Sequence, residues 1–381
     1  MLTKGAIYYT ISIYIYLYKD EIIIMNYFDR YVSNSLAPSS NQSYFLSDEI
    51  CTSRSFYRVK NGGKLEYSFV YSSIIYSTFA DGSYSRANLR CDKWEIISLK
   101  ALVVDGKTRD FSNPKIEREY QLTFDGKISR EIEVEGEIYT DPMVINAEKD
   151  DYICLELDFR GEGKMPYFEE NWIPTYRLID GKWVESNRTP LSNMIGVRRE
   201  VKHKIGFLGD SITEGIGTDK NSYEWWNAKI AELSGEENSY YNLGIGFGRA
   251  DDIATDGIWL ERAKHLDIVT LCAGVNDICQ GFKADKIKDN LTKIVKILKK
   301  NDVRVILFTV PPFDYDEEKT RVWNEVNSYI VNELSEQAEI FDTVSIWGED
   351  APNQNRARYG GHPNAEGSLA LANEFDKRKF F

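Results

Sequence analysis

From about residue 40 to residue 200 the chain alternates hydrophobic and polar positions with a period of two. Leu65, Tyr67, Phe69 and Tyr71 are interleaved with Glu66 and Ser68, and Ser72 follows; Tyr120, Leu122 and Phe124 repeat the pattern, as do Ile153, Leu155, Leu157 and Phe159. Side chains of a strand point to opposite faces in turn, so each run reads as a strand with one buried face. Asp-Gly pairs punctuate these runs at Asp81-Gly82, Asp105-Gly106, Asp125-Gly126 and Asp180-Gly181, a hairpin or turn signal. Short strands with no helical stretch between them predict an antiparallel β-sandwich over residues 25–200, with the aromatic side chains in its core.

Beyond Lys202 the period changes. Apolar runs at 205–208, 240–245, 268–272 and 303–310 are separated by helical stretches. In one of these Ile287, Leu291, Ile294, Val295 and Leu298 fall on a single face; in another Val322, Val326, Tyr329 and Ile330 do. Alternating strand and helix predicts a parallel sheet covered on both sides over residues 201–381, with its site at the carboxyl ends of the strands. The polar stretch "GVRREVKHK" joins the two halves.

Residues 1–24 belong to neither pattern. "GAIYYTISIYIYLY" (5–18) is uncharged and follows Lys4, like the core of an export signal, yet it holds five tyrosines and no small-residue cleavage site. It is short for a span of about 20 residues. It reads as an extension preceding a start at Met25, a stray strand, an export signal or an anchor; the expected location is cytoplasmic, with export left open.

Composition narrows the partners. A net charge of −13 argues against nucleic acid, which needs clustered Lys and Arg. Five scattered cysteines without CxxC spacing read as free, buried thiols. Three histidines and no HExxH or Cys/His cluster give no reason to expect a metal.

The chemistry lies at the strand ends of the second half. "IGFLGDSITEGIGT" (205–218) places Ser211 just past an apolar strand, where an exposed hydroxyl can act as nucleophile. "YNLGIGFGRADD" (241–252) offers Gly246 and Gly248, whose amides can turn toward a ligand. "LCAGVNDI" (271–278) ends a strand at Asn276, and "GGHPNAEG" (360–367) puts His362 before the last helix. Together they make a kit for acyl transfer: Ser211 attacks, His362 carries the proton, and the amides of Ser211 and of Gly246 or Gly248 join Asn276 in stabilising the oxyanion. His203 and His265 read as solvated residues in charged stretches, which leaves His362 as the base. Asp210 is expected to hold the loop. Arg249 is a candidate for substrate binding or for an ion pair with Asp251 or Asp252. Trp226 shares a helical face with Ile230 and Leu233 and reads as core, while Trp225 is the candidate sugar-stacking surface.

In order and context these segments resemble the blocks of the SGNH (GDSL) hydrolase superfamily over residues 204–375: Gly209-Asp210-Ser211, then 242–248, then Gly274-Val275-Asn276-Asp277, then His362-Pro363. The resemblance implies a flavodoxin-like three-layer α/β/α domain that hydrolyses esters without a cofactor. A preceding sandwich, jelly-roll-like, is similar to the carbohydrate-esterase branch, where the substrate is a small acylated sugar. The alternatives are a lysophospholipase or thioesterase of the same superfamily, and a carbohydrate-binding protein that has lost activity. Stable membrane insertion is not expected. Two positions depart from the family's pattern. Phe247 stands at the offset of the oxyanion glycine, which leaves Gly246 slightly ahead of Gly248. Tyr359 stands where the family carries the acid that orients the histidine. Asp350 and Glu349, in "IWGEDAPN", are the candidate replacements, and a backbone carbonyl is the other.

Overall fold

The computed structural model of the protein describes residues 14–18, 21–38, 41, 43–75, 89–134, 136–168, 172–348, 357–358 and 361–381. In the amino-terminal half the alternating runs form antiparallel strands in two main sheets. A seven-stranded sheet runs in the order Ile116–Gln121, Trp94–Val104, Tyr152–Gly161, Cys51–Arg58, Thr175–Ile179, Lys182–Glu185, with Arg130–Ile132 also pairing Trp94–Val104. A five-stranded sheet runs Glu137–Tyr139, Gly63–Ser72, Met194–Arg198, Val32–Ser33, with Met143–Ala147 also on Gly63–Ser72. Leu99, Ala101, Leu155 and Leu157 of the first sheet share a buried core with Tyr67, Phe69, Ile145 and Val197 of the second.

The Asp-Gly pairs divide. Asp180 and Gly181 (φ 50° and 74°) and Asp125 and Gly126 (φ 50° and 75°) both take the two left-handed residues that match the twist of a tight hairpin. Asp105-Gly106 makes no two-residue hairpin: the Asp105 carboxylate accepts the Lys107 N–H, and Gly106 packs against the Asp150 carbonyl. Asp81-Gly82 lies outside the described residues. The run through Leu122 and Phe124 also ends early as a strand, at Gln121, although both side chains are buried. Among the described residues Tyr14–Tyr18 and Glu21–Met25 pair with each other, antiparallel, as a two-stranded sheet.

The carboxyl-terminal half is a parallel sheet of β1 (Lys204–Gly209), β2 (Ser239–Gly244), β3 (Ile268–Cys272), β4 (Arg304–Phe308) and β5 (Glu339–Phe341). Its order, 2-1-3-4-5, is that of flavodoxin-like doubly wound folds, with the switch point between β1 and β3. The predicted strands are found within a residue or two of their places. β5 has three residues and no period of its own, so nothing in the pattern marks it. The helices are α1 (Ser211–Glu214), α2 (Trp226–Leu233), α3 (Ala250–Ile253), α4 (Ile258–Ala263), α5 (Val275–Cys279), α6 (Ala284–Lys300), α7 (Glu317–Asn332), α8 (Val344–Trp347) and α9 (Ala365–Arg378). One group packs α2 against α9, another packs α6 against α3 and α7. On α6 the predicted stripe of Ile287, Leu291, Ile294, Val295 and Leu298 is wholly buried. No helix among the described residues is long and apolar enough to cross a membrane.

The halves meet through polar contacts taken out of water. Arg262 of α4 pairs with Glu137 at 2.6 Å, both side chains largely buried. Trp172 donates its indole N–H to Glu214 at 3.1 Å, and its carbonyl accepts the Asn221 N–H. Glu214 is the last residue of α1, so the first half of the chain braces the helix that begins at Ser211.

Candidate active site

The chain turns sharply at the end of β1 because Asp210 stops the strand and starts a helix. Its backbone is extended (φ −93°, ψ −154°), and its Oδ1 accepts the Ile212 N–H at 3.0 Å, capping α1. Ser211 is therefore the first helical residue, where the backbone N–H has no intrahelical acceptor. The helix fits tightly against β2: a Cβ at Gly244 would collide with the backbone of Thr213 and Glu214. Trp226 is core, as its spacing predicts, and its indole N–H also holds the Ile212 carbonyl at 2.9 Å.

His362 reaches this turn from the other end of the domain. Its Nε2 lies 2.8 Å from the Ser211 Oγ. Two contacts fix the segment that carries it. Gly217 (φ 107°) passes so close to the carbonyls of His362 and Pro363 that no side chain fits there. Phe313, in the loop after β4, sets its ring edge-on to the imidazole, centroids 5.4 Å apart, and fills the space that a Cβ on Gly361 would need. Sequence reasoning missed Phe313, Trp172 and Glu214. Phe313 and Trp172 act on the site from distant parts of the chain and sit in no motif; Glu214 lies in the nucleophile stretch itself, but its partner Trp172 does not.

The turn after β2 is held on both sides. Ile245 N–H donates to the Gly209 carbonyl, and Gly248 N–H donates back to the Ile245 carbonyl, each at 3.0 Å. Gly248 is thereby corrected as a candidate oxyanion donor, since its only N–H closes the turn. The Asn276 amide donates one hydrogen to the Gly248 carbonyl at 2.9 Å, which fixes the side chain and leaves its second hydrogen for a ligand. Asp277 accepts the N–H groups of Ala250 and Asp251 at 2.8 and 3.1 Å, tying the start of α3 to that of α5. Phe247 takes φ 58°, a conformation that costs a non-glycine residue roughly 1–2 kcal/mol.

The readings of Trp225 and His265 are corrected, and Arg249 takes its ion-pair alternative. Trp225 is no exposed platform: it is fully buried against Tyr223 and Trp172, with Gly215 packed on its ring. Arg249 is held by Asp252 through Nε and Nη2 at 2.9 and 2.7 Å and by Gln280 at 3.0 Å, while Asp251 pairs instead with Lys286. Its guanidinium shapes the turn and is not presented as a ligand for substrate. His265 is no solvated residue but stacks on Phe28 with centroids 5.0 Å apart, and burial lowers its pKa. Glu349 and Asp350 lie outside the described residues. Among the described residues no group of three or more His, Cys, Asp or Glu is placed to hold a metal ion.

Two buried carboxyls beside the nucleophile give a pH dependence. Burial pushes Asp210 up to about 7, with the Asp277 charge adding to the shift; burial likewise pushes Asp277 up to about 6. Cys272 and Tyr315 also face Asp210, each raised by its own burial, whereas Cys279, read from the sequence as a buried thiol, is exposed. A carboxyl whose folded pKa exceeds its ordinary 3.8 keeps its proton in the folded chain after the unfolded chain has lost it. Stability from Asp210 is therefore lost as pH rises from about 4 to about 7. Asn caps a helix as well as Asp does but cannot ionise. In Asp210→Asn the fall in melting temperature between pH 5 and pH 8 should be smaller than in the parent. An equal fall in both proteins, followed by calorimetry, would refute the assignment.

A seryl hydroxyl bonded to an imidazole at the carboxyl edge of a 2-1-3-4-5 sheet defines the class of this half, a carboxylic ester hydrolase domain. The family model of the GDSL-like Lipase/Acylhydrolase family matches residues 207–370 of this chain. A curated relative, an uncharacterized protein of Mycoplasma pneumoniae, is 23% identical over 170 residues. The match covers 41% of this chain but spans only 19% of that relative's length. Among solved structures, a member of the lipolytic G-D-S-L family from Veillonella parvula is 22% identical, with 47% of this chain and 97% of that one covered and a TM-score of 0.40. The acetylxylan esterase Axe2 from Geobacillus stearothermophilus is 18% identical (48% and 96% covered, TM-score 0.39). The psychrotrophic esterase EstA from Pseudoalteromonas sp. is 19% identical (46% and 96% covered, TM-score 0.39).

Proposed function

We propose that the protein is a serine esterase that removes a small acyl group, acetyl in the first instance, from a carbohydrate. The observation that carries this reading is the 2.8 Å contact between Ser211 Oγ and His362 Nε2. With the proton of the neutral imidazole on Nδ1, Nε2 accepts the seryl proton as Oγ attacks the ester carbonyl. The negative charge that develops on the carbonyl oxygen is met by the Ser211 and Gly246 N–H groups and the second Asn276 hydrogen. A donor of this kind contributes about 3–4 kcal/mol to the barrier. His362 then returns the proton to the departing sugar oxygen, and a water activated by the same nitrogen releases the acyl group from Ser211. The carbohydrate part of the reading rests on the amino-terminal half. We take its two antiparallel sheets as the faces of a jelly-roll-like sandwich, the accessory domain of the carbohydrate-esterase branch.

Acyl-chain preference tests the reading. Turnover of p-nitrophenyl acetate should exceed that of the octanoate in kcat/KM by about tenfold or more, 1.4 kcal/mol on the barrier. Acetylated xylosides should release acetate. Preference for octanoate would favour a lysophospholipase or thioesterase. A folded protein that turns over neither ester would favour the carbohydrate-binding reading.

A further inference from the structure

The chain leaves the nucleophile along a path that its own residues do not favour. After α1 it runs through residues 215–225 to α2, and in that stretch Asn221 and Tyr223 take φ of 57° and 56°. Neither is a glycine, and for a side chain as bulky as that of Tyr223 such a φ is strained. Contacts from the amino-terminal half hold the stretch. The Asn221 N–H donates to the Trp172 carbonyl at 2.9 Å and its side chain to the Tyr152 hydroxyl at 3.3 Å, while the Tyr223 hydroxyl accepts the Arg58 N–H at 3.2 Å. Trp172 is itself fixed: Ile173 beside it is buried, and the Pro174 carbonyl accepts the Phe56 N–H at 3.0 Å. Strain kept beside a catalytic turn and balanced by contacts from elsewhere points to a conformation that serves the site.

Those contacts reach both residues of the reacting pair. The Trp172 indole N–H donates to Glu214 Oε1 at 3.1 Å, three residues beyond Ser211 in the single turn of α1. Directly after it, the N–H groups of Gly215 and Ile216 both donate to the Ser211 carbonyl, at 3.1 and 3.0 Å, and Gly217 lies against the carbonyls of His362 and Pro363. The Trp172 ring also meets Trp225 edge-on, centroids 6.4 Å apart, and the Trp225 ring backs Gly215. A helix of four residues has too few internal hydrogen bonds to hold its own orientation. Within the hydrolase half Trp226, Asn227 and Asn242 hold it by the carbonyls of Ile212, Thr213 and Glu214, whereas Trp172 holds it by the Glu214 side chain from the other half. We propose that Trp172 is a positioning residue: through Glu214 and Trp225 it sets the turn that carries Ser211 against His362, and so couples the amino-terminal half to the hydroxyl–imidazole contact. This role rests on the serine-esterase reading given above.

Trp172→Phe keeps an aromatic ring beside Trp225 and removes the N–H. In the full chain, assayed well below its melting temperature, it should lower kcat for p-nitrophenyl acetate about tenfold and leave KM within about twofold of the parent, because a misplaced nucleophile costs rate and not binding. Labelling of Ser211 by diisopropyl fluorophosphate needs the same hydroxyl and imidazole, and its rate should fall by the same factor. Glu214→Ala removes the acceptor and should reproduce both losses, and the double variant should be no slower than Glu214→Ala alone. Arg262→Gln is the control. It breaks a different contact between the halves, the pair with Glu137, and should keep kcat and labelling within about twofold of the parent even where its melting temperature falls. Rates within about twofold of the parent in folded Trp172→Phe, losses that multiply in the double variant, or an equal slowing in Arg262→Gln would overturn the positioning role. Should Trp172→Phe not fold, Glu214→Ala reads the same bond, and a folded Glu214→Ala that labels at the parent's rate overturns the role as well. Failure of the underlying reading looks different: a parent that neither hydrolyses the ester nor takes the label removes the esterase assignment itself.

Discussion

Ser211→Ala is expected to lower the turnover number by about six orders of magnitude, the loss seen when the nucleophile of a serine–histidine system is removed. The substitution deletes one oxygen. Its described hydrogen bond is the one to His362 Nε2, and Ser211 is only 7% exposed, so alanine fits the same space. The cap from Asp210 to Ile212 and the bonds from Trp226 and Trp172 do not involve the hydroxyl, and they keep α1 in place. The purified variant should match the parent in circular dichroism and melting temperature. If it keeps more than a few per cent of the parent's acetyl-ester turnover, Ser211 is not the nucleophile.

His362→Ala should cost several orders of magnitude, and the size of the effect at Asp350 and Glu349 decides how the imidazole is oriented. Nε2 can accept the seryl proton only while Nδ1 carries its own, and a hydrogen-bond acceptor at Nδ1 fixes that tautomer. A carboxylate would also stabilise the imidazolium that forms; a backbone carbonyl fixes the tautomer without charge. With Tyr359 in the place of the usual acid, we expect a Ser211–His362 dyad oriented by a carbonyl. Asp350→Ala and Glu349→Ala should then each lower the turnover number by less than about tenfold, under 1.4 kcal/mol. A thousandfold loss in either folded variant would replace the dyad with a displaced triad. The two outcomes lie far enough apart for a steady-state assay to separate them.

Much of this architecture is legible along the chain because its signals are local. A strand with one buried face must alternate, and Asp180-Gly181 can supply two left-handed residues wherever it occurs. The glycine-rich turns after β1 and β2 and the Asn at the end of β3 stand in motifs a few residues long. Their common position at the strand ends follows from parallel topology alone. β5 escaped because three residues are too few to show a period.

The sequence by itself determined the change from period two to strand–helix alternation, the places of four of the five parallel strands, and the residue types needed for acyl transfer. Tertiary structure decided which atoms those residues present. Trp225 looks like a surface aromatic until Trp172, more than fifty positions away, covers it, and His265 looks solvated until Phe28 stacks on it. Arg249 chooses Asp252 over Asp251, and Gly248 turns its N–H inward, because each donor takes the acceptor that the folded chain brings nearest. Periodicity records which face of an element is buried. Burial of a single side chain and the direction of a single N–H depend on partners distant in the chain, and no local pattern carries them.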